Sequence, residues 1–226
     1  MTCTVVVPEN APEAKLAAIV RLGGRIVKVP YERWWQTLED SSYPELDGLF
    51  VHPVQDERVM AGNGTIGLEL LEDLPEPEVV LVPFGGGGLS SGIASAVKAL
   101  RPETHVYAVE PETGAPLTAA FAAGEPQPIH FVPSFVDGAG GPALLSAMWP
   151  LVRGLLDGAF AVSLDETAEA VRVLASRARV VAEGAGGLAL AAALSRRVEG
   201  GTIVCIVSGG NIDAAKLATI LGGETP

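Results

Sequence analysis

Four consecutive glycines, Gly85–Gly88, stand in "PFGGGGLSSGIASAVKAL" (83–100), between an apolar run and a segment with helical periodicity. Glycine loses more backbone freedom on folding than any other residue, so a run of four is costly unless bare backbone is needed there. A strand, a glycine run and a helix N-terminus together present consecutive N–H groups with no Cβ in the way. That arrangement is a cradle for an anion, most often a phosphate. A tight strand-to-helix turn accounts for one or two such glycines and less readily for four. Further chemistry-bearing residues sit at similar junctions: Glu110 at the end of "HVYAVEPE" (105–112), Glu183 in "EGAGG", and Ser208 in "SGGN".

The occupant of the cradle stays open at this point. A P-loop is excluded, because its lysine before a hydroxyl residue is missing from the loop. A dinucleotide site wants GxGxxG and an acid about 20 residues on for the ribose. Gly85 and Gly87 fit the first two glycines and Glu110 the acid, but Ser90 stands at the third glycine. His52, before a proline in "VHP", reads as a hydrogen-bonded histidine at a strand end rather than a catalytic one.

The elements that must position these residues alternate. β-branched runs at 3–8, 25–30, 49–53, 79–84, 105–112, 159–163 and 202–211 predict strands. Helical patterns cover 11–24, 31–40, 89–100, 114–124, 141–156, 184–197 and 212–221. Residues 60–74 read as a glycine-rich turn entering a helix, and 164–180 as a helix with Asp165 at its N-cap. This order predicts an α/β fold with a doubly wound, mostly parallel sheet whose strands are covered on both faces. Ligands in such sheets bind at the carboxyl ends of the strands, which makes "PFGGGG", "AVEPE" and "VSGGN" three walls of one site.

Composition narrows the partners. Of 226 residues, 15 are Lys or Arg and 27 Asp or Glu, giving a net charge of −12. That balance argues against nucleic acid and anionic membrane surfaces, which attract clustered positive charge. Cys3 and Cys205 are the two cysteines, far apart and outside any metal-binding spacing, as expected of reduced thiols in a cytoplasmic protein. No stretch has the length of a membrane span and the start lacks a signal-peptide pattern.

Four stretches in register carry a resemblance. "VHPVQDERVMAGNGTIGLEL" (51–70), "PFGGGGLSSGIA" (83–94), "VVAEGAGGLALAAAL" (180–194) and "IVCIVSGGNID" (203–213) resemble the serine/threonine dehydratase group of fold-type II pyridoxal-phosphate enzymes. That group includes threonine ammonia-lyases and serine racemases. The resemblance implies a tryptophan synthase β-like fold, with residues 1–57 in a smaller domain and 58–226 in the cofactor domain. It implies that the amides of Gly85, Gly86, Gly87, Gly88 and Leu89 hold the cofactor phosphate, that Glu183 lies beside the ring, and that Ser208 hydrogen-bonds the pyridine nitrogen. A hydroxyl is too weak an acid to protonate that nitrogen, which favours loss of a β-hydroxyl over transamination. Glu110 and the backbone of Gly114 are implied as part of a monovalent or divalent cation site, although Pro116 stands where a further acid is expected. The implied activity is elimination of water from L-threonine or L-serine, giving a 2-oxo acid and ammonia, by a cytoplasmic homo-oligomer.

The family's Schiff-base lysine, in a Ser/Phe-Lys-x-Arg-Gly type motif, has no counterpart in this sequence. Its four lysines are Lys15, Lys28, Lys98 and Lys216, none with that motif around it and none at the end of a strand facing the site. The Ser-Ser/Gly-Asn-His motif is also absent. The expectation is a chain truncated at the N-terminus relative to the family, without its covalent anchor. The reading from a different class is a non-catalytic module that binds pyridoxal phosphate or a dinucleotide.

Overall fold

A computed structural model describes residues 2–226. The strands are β1 (Thr4–Pro8), β2 (Arg25–Val29), β3 (Val79–Pro83), β4 (His105–Pro111), β5 (Gly158–Val162) and β6 (Ile203–Cys205). The helices are α1 (Glu13–Arg21), α2 (Tyr31–Glu39), α3 (Glu57–Asp73), α4 (Gly88–Leu100), α5 (Pro116–Ala123), α6 (Trp149–Leu155), α7 (Leu164–Val173), α8 (Gly184–Leu194) and α9 (Ala214–Leu221). β1 and β2 form a two-stranded parallel sheet, with Thr4 opposite Arg25 and Pro8 opposite Val29. The other four form a second sheet in the order β5-β4-β3-β6, parallel throughout. The expected α/β architecture with parallel sheets is therefore the observed one.

β3, "VVLVP", is buried at every residue. Its alternation sends Val79 and Leu81 to one face, among Val109, Val162, Val171, Leu188 and Ile220. Val80 and Val82 go to the other, among Phe84, Ile93, Val97, Val106 and Leu117. Period-two alternation with apolar residues on both faces is what a strand covered by helices on both sides requires. β4 and β6 flank β3, so the chain leaves β3 in one direction and returns to its other side much later. The crevice at the carboxyl ends of β3 and β6 is the topological switch point where such sheets bind ligands.

Four local readings change. Residues 60–67 are not a turn but the body of α3, and their glycines are packing devices. A Cβ at Gly67 would lie 3.0 Å from the carbonyl of Ile93, and one at Gly92 would overlap the carbonyl of Met60. α3 and α4 thus touch backbone to backbone. The run 49–53 has strand composition but makes no ladder; only His52 is buried, and its ring ties the following turn to the end of α2 while Leu49 and Val51 stay exposed. The N-cap of α7 is Ser163 rather than Asp165, in a capping box with Glu166, and the helix gives way to a π-turn at Leu174–Ala178. The last predicted strand keeps its ladder only over Ile203–Cys205, since the SGGN segment turns across the neighbouring helix instead.

The backbone contact between α3 and α4 sets a test. Gly92→Ala should destabilise the fold by about 2–4 kcal/mol, because the obstacle is main chain that cannot rotate away. Gly62→Ala, with nothing within 4 Å of its added Cβ, should be neutral or stabilising. Chemical denaturation of the two variants measures the difference.

Candidate functional site

The glycine loop joins the end of β3 to the start of α4, and its four residues are bare for different reasons. Gly87 has φ +99° and caps α4, a conformation that side chains rarely adopt. An added Cβ at Gly86 would overlap the Val54 side chain, and one at Gly88 would lie 2.9 Å from the Val54 carbonyl. Gly85 differs, since its added Cβ would meet only ordinary contacts at 3.5 Å, from Gly138 and Ala139. Packing therefore explains Gly86 and Gly88 and backbone strain explains Gly87, which leaves Gly85 half-buried on the open side of the loop. Leu89 is half-buried in the first turn of α4.

The 53–54 segment that presses on the loop is itself held by His52. The Nδ1 atom of this buried ring accepts from the backbone N–H of Val54 at 2.9 Å and of Gln55 at 2.8 Å. Nδ1 is therefore the unprotonated nitrogen, and Nε2–H donates to the Leu38 carbonyl at 3.0 Å. His52 acts as the strut that the sequence suggests, in a turn rather than at a strand end.

On the far side of the crevice, Glu183 is the N-cap residue of α8. Its backbone N–H donates to the Gly209 carbonyl at 3.0 Å, which ties α8 to the SGGN segment. A Cβ at Gly209 would overlap Glu183 Oε1, and one at Gly186 would overlap the Gly209 carbonyl. The glycines of "EGAGG" and "SGGN" are thus matched to each other. Ser208 is exposed beside them, three residues beyond the end of β6.

The strap 136–140 closes the gap between the two walls. The Gly140 N–H donates to the Phe84 carbonyl at 2.9 Å, next to the loop. A Cβ at Gly138 would sit 3.4 Å from Glu183 Oε1. Lys15 of α1 reaches this strap, with Nζ 2.8 Å from Asp137 Oδ1 and 3.9 Å from Glu183 Oε2. Glu183 Oε2 is shielded from solvent and receives no hydrogen bond. Burial pushes the Glu183 carboxyl above its ordinary pKa; Lys15 opposes that shift and Asp137 adds to it.

Lys15 reaches Glu183 from a helix, not from a strand end. Neither it nor Asp137 carries a local motif; they lie 122 residues apart, and only the docking of α1 against the strap unites them. The other lysines lie elsewhere. Lys98 pairs with Asp157 at 2.7 Å, Lys216 stands 3.8 Å from Asp213, and Lys28 lines a groove between α1 and β2.

Glu110 is fully buried, and both its oxygens are engaged by the N-terminus of α5. Oε1 accepts from Leu117 N–H at 2.9 Å, and Oε2 accepts from Thr118 N–H and Oγ1, both at 2.7 Å. The Gly114 carbonyl accepts from the Gly141 N–H at 3.3 Å. Pro116 begins α5, so the residue expected to complete a cation site starts the helix that Glu110 caps. As placed, Glu110 and Gly114 do not form a donor set for a hard cation, which asks for about six or more oxygens. Among the described residues no group of three or more His, Cys, Asp or Glu side chains gathers as a metal site.

The fold defines a class: a parallel α/β protein with a glycine loop after β3 and a polar loop after β6, at the switch point of its sheet. The chain belongs to the family described as "Pyridoxal-phosphate dependent enzyme", whose model matches residues 1–209. It is 38% identical over 225 residues to an L-threonine ammonia-lyase of Thermotoga maritima, covering 96% of this chain and 55% of that protein. It is 37% identical to the serine racemase of Mus musculus, covering 98% of this chain and 67% of that one. The processed form of threonine deaminase isoform 2 from Solanum lycopersicum superposes with a TM-score of 0.84 at 29% identity, covering 98% of this chain and 66% of that structure. The chain thus spans little more than half the length of the Thermotoga relative and about two thirds of the other two. No helix of the described residues is long and apolar enough to cross a membrane.

Two outcomes follow for the site's supports. Burial raises the Glu110 carboxyl from an ordinary 4.5 to about 7, against the pull of its three donors. Between those values the folded chain holds a proton that the unfolded chain has released. The stability this contributes is complete below the unfolded pKa and is lost as pH rises through about 7, at no more than about 1.4 kcal/mol per pH unit. Glu110→Gln should flatten that part of the stability–pH curve, read by urea denaturation across the range. His52→Ala should release the 53–54 segment and speed amide exchange in the glycine loop, read by mass spectrometry.

Proposed function

We propose that the crevice binds pyridoxal phosphate, with the cofactor phosphate on the amides of Gly85–Gly88 and Leu89. The observation that carries this is the glycine loop after β3, joined through the strap 138–140 to Glu183 and the SGGN segment at the same switch point. Glu183 would lie along one edge of the ring, and Ser208, exposed at the crevice, would accept or donate one hydrogen bond to the pyridine nitrogen. When bound, such a group supplies an electron sink for breaking bonds at the α-carbon of an amino acid. The chain's own residues orient and shield. The N-terminus of α4 offsets the phosphate charge, the strap 136–140 closes one side, and the Ser208 hydroxyl leaves the ring nitrogen unprotonated.

The reaction we propose for the intact enzyme is β-elimination of water from L-threonine or L-serine, giving a 2-oxo acid and ammonia. Support comes from the ammonia-lyase and deaminase relatives; the serine racemase at similar identity marks the rival outcome on the same substrate class. None of the four lysines is proposed as the covalent anchor. Lys98, Lys216 and Lys28 lie elsewhere, and Lys15 is committed to carboxylates. Residues 1–57 as a smaller domain, a cytoplasmic location and a dimeric or tetrameric assembly belong to the same proposal and rest on the resemblance. The placement of the lysines also favours a second reading, a phosphate-ligand binding module without turnover.

Thermal shifts with pyridoxal phosphate and with NAD separate these readings. Pyridoxal phosphate should raise the melting temperature and NAD should not, because only a ligand of the native state stabilises it. Stabilisation by NAD alone would sink the first reading. Gly85→Asp should weaken pyridoxal phosphate binding at least tenfold while the fold survives, since a Cβ is tolerated there and a carboxylate repels the phosphate. A covalent, borohydride-trappable adduct on one of the four lysines would overturn the statement about the anchor.

A further inference from the structure

Lys15 is the one charged side chain that α1 sends to the crevice, and its partners are unusual for a surface lysine. The Asp137 and Glu183 side chains are only 25% and 14% exposed, and Glu183 Oε2 has no hydrogen bond of its own. A shielded carboxylate and one on the exposed strap therefore share one ammonium. Removing it would leave Glu183 without a cation in a partly desolvated place. The charged groups facing Glu183 are Lys15 from α1 and Asp137 from the strap. The β6 side presents only the Gly209 backbone, and the first turn of α8 holds no charged residue.

Asp137 is also the mechanical handle of the strap. Beyond it, Gly138 and Ala139 lie against Gly85, and Gly140 is hydrogen-bonded to Phe84. A pull on Asp137 is thus transmitted within three residues to the open side of the glycine loop.

We propose that Lys15 is a positioning residue for the site. Its ammonium ties α1 to Asp137 and Glu183, which fixes the strap against the glycine loop and places a cation beside the Glu183 carboxyl. This deepens the reading of the crevice as a pyridoxal-phosphate site and rests on it for the meaning of the crevice, though not for the contacts. The lysine acts through other residues and is not assigned a step in the reaction. It also links the layer of β1 and β2 to that of the four-stranded sheet, so the position of one layer places a cation beside a carboxylate in the other.

The experiment uses the chain without ligand. Carbon-detected NMR follows the titration of Glu183, and hydrogen exchange follows the amides of 85–88, in the wild type, Lys15→Met, Lys15→Arg and Asp137→Asn. Lys15→Met should move the Glu183 midpoint upward and speed exchange of the loop about fivefold; Lys15→Arg should restore both. Asp137→Asn should also speed the exchange but move Glu183 downward, a sign that simple loosening of the fold cannot produce. An unmoved Glu183 midpoint in Lys15→Met, or failure of Arg to restore it, overturns the proposal. A titration with pyridoxal phosphate adds a separate arm, in which Lys15→Met should bind about fivefold more weakly than the wild type. A wild type that does not bind it overturns the cofactor reading, while the titration and exchange still decide the role of Lys15.

Discussion

Close approach of backbone to backbone is the constraint on which this structure depends. α3 lies on α4 through Gly64, Gly67 and Gly92, and the 53–54 segment lies on Gly86 and Gly88. The SGGN segment lies on α8 through Gly186 and Gly209. Side chains at these points would hold the elements apart by their own thickness, and the crevice would lose its walls. Bareness seats the loop at Gly86 and Gly88, whereas at Gly85 it leaves half-buried backbone with room to spare. A single run of glycines therefore does two kinds of work, and the structure separates them residue by residue.

Electrostatics is layered on that packing with some economy. In a chain of net charge −12, the glycine loop opens onto the N-terminus of α4 with no acidic residue in its first turn. The chain's buried carboxylates are each given a local answer. Glu110 is met by the N-terminus of α5, which supplies three donors and partial positive charge. Glu183 is met by an ammonium from another layer of the molecule. The first arrangement is closed within a few residues of sequence, whereas the second requires the two sheets to be correctly placed.

How much of this was legible in the sequence depends on how local each interaction is. Alternation and helical periodicity are short-range signals, and they locate β3, α4 and β4 within a residue and the start of α8. The run 49–53 misleads because a buried histidine with three backbone partners outweighs β-branched composition. The glycines of α3 look like a turn because sequence shows their conformational cost but not the neighbouring helix that repays it. Glu110 and Gly114 were legible as a pair near one strand end. That the Glu110 carboxylate turns to α5 follows only from Pro116 starting a helix there. Lys15 and Asp137 carry no signal at all, since their meeting is a property of tertiary packing.

The order of strands also has a consequence in time. β3 and β6 form the two sides of the crevice, yet the register that joins them pairs Val79 with Ile203. Loop closure over such a separation is slow, and parallel pairing gives no early hairpin to shorten it. During synthesis the glycine loop emerges long before the strand that completes its pocket. For that interval one edge of β3 stands unpaired, a template for wrong partners as much as for the right one. That side of the sheet is thus completed late, when the last strand docks.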